Sequence, residues 1–163
     1  MSRSLASLFY RLNPLEYEYM EKGKRYLSNS QADTYALGQT LGASFNGGEV
    51  IALYGDLGAG KTALSQGLAA GLGIKATVNS PTFTIMKLYS LKRPGITQFC
   101  HVDAYRLNSA QELADIGITD YLGARDTVCA VEWAEKVEGI LPKKRVNIYL
   151  KALSENERQI IIK

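Results

Sequence analysis

Apolar positions along this chain switch between a helical and a strand-like period. Leu37, Leu41 and Phe45 recur at four-residue steps behind Ser30-Gln31-Ala32-Asp33, which has capping-box spacing; a helix is predicted over about 31–45, ended by Asn46-Gly47-Gly48. Val50-Ile51-Ala52-Leu53-Tyr54 is a short apolar run between glycines, as expected of a strand buried on both faces of a parallel sheet. Helical spacing returns at Leu64, Leu68 and Leu72, with Gly67 and Gly71 on a side that would tolerate close approach of helix and sheet. Further strands are predicted over 82–91, 96–102 and 127–131, and Ser109-Ala110-Gln111-Glu112 reads as the cap of a short helix. Val146–Leu150 and Gln159–Ile162 give two late strands around a charged turn. Strands alternating with helices predict a three-layer α/β fold on a mixed, mostly parallel central sheet.

Residues 1–27 show no sustained period, setting Arg3, Arg11, Lys22, Lys24 and Arg25 against Glu16, Glu18 and Glu21. The expected organisation is therefore an N-terminal extension over 1–27 and one domain over 28–163. With 46% hydrophobic and 21% charged residues and no low-complexity tract, the 163-residue composition is that of a soluble folded protein. No apolar run approaches the ~20 residues of a membrane span, and the N-terminus lacks a signal-peptide pattern, so a cytoplasmic location is expected. A net charge of +3 permits a nucleic-acid partner without arguing for one. Cys100 and Cys129 each lie inside an apolar run and read as buried reduced thiols.

Chemistry concentrates after the first apolar strand. Gly55-Asp56-Leu57-Gly58-Ala59-Gly60-Lys61-Thr62 satisfies G-x-x-x-x-G-K-[ST], between a strand and an amphipathic helix, and places the fold among P-loop NTPases. The glycines admit positive φ and let backbone N–H groups wrap a phosphate at a helix N-terminus. Lys61 supplies a charge for the β- and γ-phosphates, and the Thr62 hydroxyl is placed to ligate the bridging magnesium. Asp56, Gly58, Ala59, Gly60, Lys61, Thr62 and Ala63 are thus the expected nucleotide contacts, with the Asp56 carboxylate turned away from the triphosphate.

Magnesium needs a further ligand, and two carboxylates end apolar runs: Asp103 after Phe99–Val102 and Glu132 after Val128–Val131. Either is a candidate for the metal shell or for orienting water. Ser80-Pro81-Thr82-Phe83-Thr84 reads as a switch loop or as a plain turn. His101, the single histidine, shares a strand face with Asp103; a satisfied buried histidine is the default reading.

A small-molecule kinase has the same loop but usually carries an arginine-rich lid, and the clustered positives after the central strands are Lys143-Lys144-Arg145 alone. A GTPase would carry an Asn/Thr-Lys-x-Asp segment, absent from this sequence, so ATP is the expected nucleotide. A nucleic-acid module would need a basic stripe with interleaved aromatics, which the chain lacks.

The phosphate loop, Ser80-Pro-Thr82, His101-Val-Asp-Ala-Tyr-Arg106 and Val131-Glu-Trp133, in that order and spacing, resemble the TsaE family of bacterial tRNA threonylcarbamoyladenosine biosynthesis proteins from about Ser30 to Ile162. Glu112-Leu113, Gly117–Tyr121, Gly139–Pro142 and Arg158 fit the same pattern. The resemblance implies a cytoplasmic, Mg-dependent ATPase, slow alone, that works with TsaB and TsaD in threonylcarbamoylation of adenosine 37 of ANN-decoding tRNAs, meeting tRNA through that complex. It implies that Thr62 and Glu132 bind magnesium, that Lys61 and Asp103 serve hydrolysis with them, and that Trp133, with Ser80 and Thr82, couples the site to partners. It also implies nucleotide contacts at Ser30, Thr34 and Glu135. The family usually starts close to the Ser30 helix, whereas residues 1–27 precede it here, which admits Met20 as a natural start or an added contact surface.

Overall fold

The computed structural model describes residues 19–20, 23–79 and 84–163. Its frame is an eight-stranded sheet in the order β1-β2-β8-β7-β3-β6-β5-β4. The strands are β1 (Tyr19–Met20), β2 (Gly23–Ser28), β3 (Val50–Tyr54), β4 (Met86–Arg93), β5 (Ile96–Asp103), β6 (Thr127–Glu132), β7 (Val146–Ala152) and β8 (Arg158–Ile162). The helices are α1 (Gln31–Ser44), α2 (Lys61–Gly71) and α3 (Ala110–Asp115), with three short 3₁₀ turns after α3. The central four strands, β7-β3-β6-β5, run parallel, and antiparallel strands flank them on both sides. This is the mixed sheet that the alternating pattern predicts.

Burial follows the sequence logic. Four of the five residues of β3, and all six of β6, are buried, as continuous apolar runs in a two-sided sheet require. One face packs Ile51, Leu53, Phe99 and Ile148 against Leu37, Leu41, Leu64 and Leu68 of α1 and α2. The other packs Val50, Ala52, Val102 and Val131 against Leu113 of α3 and Ile118, Ala134 and Val137 of the 3₁₀ turns. Ser30 caps α1 by accepting from the Asp33 N–H at 3.1 Å, and Ser109 caps α3. At the other end of α1, Arg93 of β4 donates to the carbonyls of Gly42 and Ala43, satisfying orphan acceptors of the last turn.

Two expectations shift. Gly67 and Gly71 face α1 rather than the sheet: a Cβ on Gly67 would lie 2.1 Å from the Tyr35 carbonyl oxygen, and one on Gly71 2.1 Å from that of Gln39. Gly38 and Gly42 return the contact from α1, against the carbonyls of Leu64 and Leu68. The four glycines let the two helices meet backbone to backbone. Gly67→Val is therefore expected to cost at least 1–3 kcal/mol by overpacking, read as a lower urea midpoint with an unchanged slope. The strand predicted from residue 82 begins at Met86; residues 80–83, with the Ser80 and Thr82 expectations, lie outside the described residues.

The unpatterned N-terminal region contributes β2, which pairs with β8 in register Tyr26↔Ile160 and buries Tyr26 and Ser28. The sheet thus takes in residues from before position 28. Cys100 and Cys129 are both free and fully buried, adjacent across β5 and β6. A hydrogen bond from Cys100 and burial both push the Cys129 thiol pKa upward, so Cys129 is not poised as a nucleophile. No helix among the described residues is long and apolar enough to cross a membrane.

Candidate functional site

The carboxyl ends of β3, β6 and β5 converge on one side of the sheet, where open α/β sheets gather ligands. There a cleft of about 650 Å³ opens between the phosphate loop, the ends of β5 and β6, the start of α1 and the β7–β8 hairpin. Gly55, Gly58 and Gly60 adopt φ of 144°, 77° and 102°, the region that favours glycine. At Gly55 space matters too, since a Cβ would stand 2.3 Å from the Leu150 carbonyl oxygen. The loop feeds directly into α2, whose first turn bears no acidic residue to compete with an anion.

Lys61 is buried at 4% exposure although it carries an ammonium group. Its Nζ donates to the Gly55 carbonyl and, at 2.8 Å, to that of Asp56, and stands 3.8 Å from the Trp133 ring centroid. Burial pushes its pKa below the ordinary lysine value, opposed by the carboxylates of Glu132, Glu135, Asp103 and Asp56. The charge is thus held on carbonyl oxygens at the floor of an anion-shaped loop.

One residue further, the Thr62 hydroxyl donates to Glu132 Oε2 at 2.9 Å. Glu132, 1% exposed, contacts His101 Nε2 through its other oxygen at 2.7 Å. This follows from register: His101 and Glu132 project from neighbouring strands onto the face that carries α2. Asp103 pairs directly with Glu132 across the strands, lines the cleft, and accepts the Tyr105 N–H at 3.0 Å through Oδ1. Among the described residues no group of three or more His, Cys, Asp or Glu side chains is arranged to hold a metal. A threonine hydroxyl beside one carboxylate fits magnesium instead, which is commonly held by one or two protein oxygens with substrate phosphates and water.

Trp133 is the one non-glycine residue with positive φ among those described, at 58°. That conformation costs a bulky residue roughly 1–2 kcal/mol, and it turns the ring between Lys61 and Tyr105, whose centroid lies 4.9 Å away. Strain of this kind gathers at binding sites.

Of the residues singled out from sequence, Thr34, Gly58, Ala59, Gly60, Lys61, Thr62, Ala63, Asp103, Glu132 and Trp133 line the cleft. Thr34 is buried against the loop, bonded at 2.7 Å to the Ser28 hydroxyl. Ser30, Asp56 and Glu135 do not line it: Ser30 caps α1, Asp56 is exposed and offers its carbonyl to Lys61, and Glu135 is exposed on the turn after Trp133. Sequence reasoning gave no cleft role to Gln31, Tyr105, Arg106, Asn156 or Arg158, which also line it. Tyr105 and Arg106 close the His101–Arg106 motif, and that position was their signal; Asn156 had none.

Arg158 ties the β7–β8 hairpin to the phosphate loop. Its Nη1 donates to the carbonyls of Ser154, Glu155 and Glu157, while Nε reaches the Gly58 carbonyl at 3.2 Å. Arg158→Ala is expected to loosen that wall and cost about 1 kcal/mol of stability, measurable as a lower urea midpoint.

Comparison with known proteins places the chain beside relatives of similar sequence and fold. The family model described as Threonylcarbamoyl adenosine biosynthesis protein TsaE matches residues 28–160. The chain is 42% identical over 128 residues to the tRNA threonylcarbamoyladenosine biosynthesis protein TsaE of Bacillus subtilis, covering 78% of this chain and 77% of that one. It is 38% identical over 138 residues to the protein of the same name from Treponema pallidum, covering 85% and 98%. The crystal structure of Bacillus subtilis YdiB superposes with a TM-score of 0.71 at 34% identity, covering 89% of this chain and 87% of that one. With the family model matching residues 28–160 and relatives 38–42% identical over most of its length, this chain belongs to the TsaE family.

Proposed function

We propose that the chain binds ATP with magnesium in this cleft and hydrolyses it in support of tRNA threonylcarbamoyladenosine formation, acting with TsaB and TsaD on adenosine 37 of ANN-decoding tRNAs. The observation that carries the reading is the Thr62–Glu132 contact of 2.9 Å at the mouth of a glycine-lined phosphate loop. A hydroxyl and a carboxylate oxygen at that spot are donors that would hold magnesium beside nucleotide phosphates. The pathway enters through family membership, and its relatives carry it in their names.

Thr62 and Glu132 would hold magnesium, which would supply charge neutralisation to the phosphates. Loop N–H groups hold the phosphates, and Lys61 exchanges the carbonyls of Gly55 and Asp56 for phosphate oxygens. Asp103, fixed by the Tyr105 N–H and lining the cleft beside Glu132, is the carboxylate we assign to orient the attacking water. Water oxygen bonds to the γ-phosphorus, the bond to the β–γ bridging oxygen breaks, and ADP and inorganic phosphate leave. Trp133 touches Lys61 and Tyr105 together, so it senses whether the lysine is on the loop or on phosphate and passes that state to a docked partner.

The test is inorganic phosphate release from ATP and GTP by the purified chain, alone and with TsaB, TsaD and tRNA. Slow ATP-selective release that rises with the partners supports the reading. Phosphate transfer to a small acceptor without partners would replace it with a kinase.

A further inference from the structure

Glu132 can serve a cation only if its carboxylate stays in one rotamer with the correct oxygen toward Thr62, and the contact that fixes it comes from His101. We propose that His101 is a positioning residue for the cation site: its Nε2–H holds Glu132 Oε1 so that Oε2 faces the Thr62 hydroxyl. The inference rests on the magnesium–ATP reading above and adds to it a residue that touches neither nucleotide nor metal.

Three observations carry it. The Nε2–Oε1 separation is 2.7 Å, with His101 fully buried and Glu132 1% exposed, so no water competes for the carboxylate. A carboxylate accepts, so Nε2 carries the proton in this contact. The ring is itself fixed, stacked 14° from parallel to Phe99 at 6.2 Å between centroids. Finally, His101 Nδ1 is buried and has no hydrogen-bond partner among the described residues. A histidine kept only for packing would be better replaced by an apolar ring, since burying an unpaired ring nitrogen is unfavourable. The use of the ring is at its other nitrogen. Supporting groups of this kind, one bond behind a ligand, commonly change metal affinity by 10–100-fold when lost.

The experiment measures binding of a non-hydrolysable ATP analogue with an imido bridge, by calorimetry, across a magnesium titration and in EDTA. His101→Leu is expected to raise the magnesium concentration for half-maximal tightening by about tenfold or more, with EDTA affinity within about twofold of wild type. His101→Gln, whose amide can donate from a similar distance, is expected to recover most of the loss; His101→Asn, too short to reach, is expected to match Leu. Thermal unfolding of each variant accompanies the binding data. A magnesium dependence unchanged in Leu and Asn overturns the inference. So does a loss of EDTA affinity equal to the loss in magnesium, or a Gln variant no better than Leu. If wild type shows no magnesium-dependent tightening, the magnesium–ATP reading itself fails.

Discussion

Replacing Lys61 by Ala is expected to lower partner-stimulated phosphate release from ATP by about 10²–10³-fold or more, the range for removing one preorganised donor to a transition state. The physical reason lies in where the charge is kept. Lys61 is buried, desolvated enough to lower its pKa, and paired with backbone carbonyls that cost nothing to leave once phosphate oxygens are offered. Among the described residues no other lysine lines the cleft, and Arg106 and Arg158 approach from its rim and hairpin wall, so these residues offer the loop floor no substitute cation. Thermal stability should change less than turnover, because the ammonium's hydrogen bonds are internal to the loop and its contact outside it is with the Trp133 ring. Single-turnover phosphate release beside a melting curve separates the two effects.

Replacing Glu132 by Ala is expected to be as damaging to turnover, about 10²–10³-fold, and unlike the lysine change it should also weaken the fold. Glu132 is the shared partner of Thr62 and His101, and His101 Nδ1 already has no partner among the described residues. Removing the carboxylate leaves both ring nitrogens buried without partners, at a cost of about 1–3 kcal/mol, besides the cavity. Glu132→Gln keeps an oxygen and a donor there, so it should retain most of the stability while losing the turnover. Denaturant midpoints for the two variants, set against their phosphate release, test this split. Equal stability for Ala and wild type would show that the buried pair is not built as described.

Much of this was legible because the relevant signals are local. The phosphate loop is contiguous, its glycines are required by its own backbone, and Val50–Tyr54 and Thr127–Glu132 announce buried strands by apolar run length. Asp103 and Glu132 were found as carboxylates ending such runs, and their adjacency follows once β5 and β6 pair. What depends on long-range contact was not legible. Four-residue spacing puts Gly67 and Gly71 on one helix face but does not say whether a sheet or a helix lies opposite. The His101–Glu132 bond joins residues 31 apart, and the Arg158–Gly58 bond residues 100 apart. β2 escaped because an edge-side strand with alternating Lys24, Tyr26 and Ser28 against Arg25 and Leu27 lacks the dense apolar run of a central strand. The left-handed Trp133 could not be anticipated, since bulky residues adopt that conformation only when their surroundings impose it.

The central claim, that the phosphate loop, Thr62 and Glu132 form one magnesium–nucleotide site with Lys61 as its mobile charge, is tested most directly by a crystal structure with magnesium and the imido analogue of ATP. The account predicts phosphates wrapped by the loop, Thr62 and Glu132 oxygens directed at the metal, and Lys61 Nζ moved from the carbonyls of Gly55 and Asp56 onto phosphate oxygens. A nucleotide bound elsewhere, or Lys61 still held on those carbonyls with the loop empty, would contradict it.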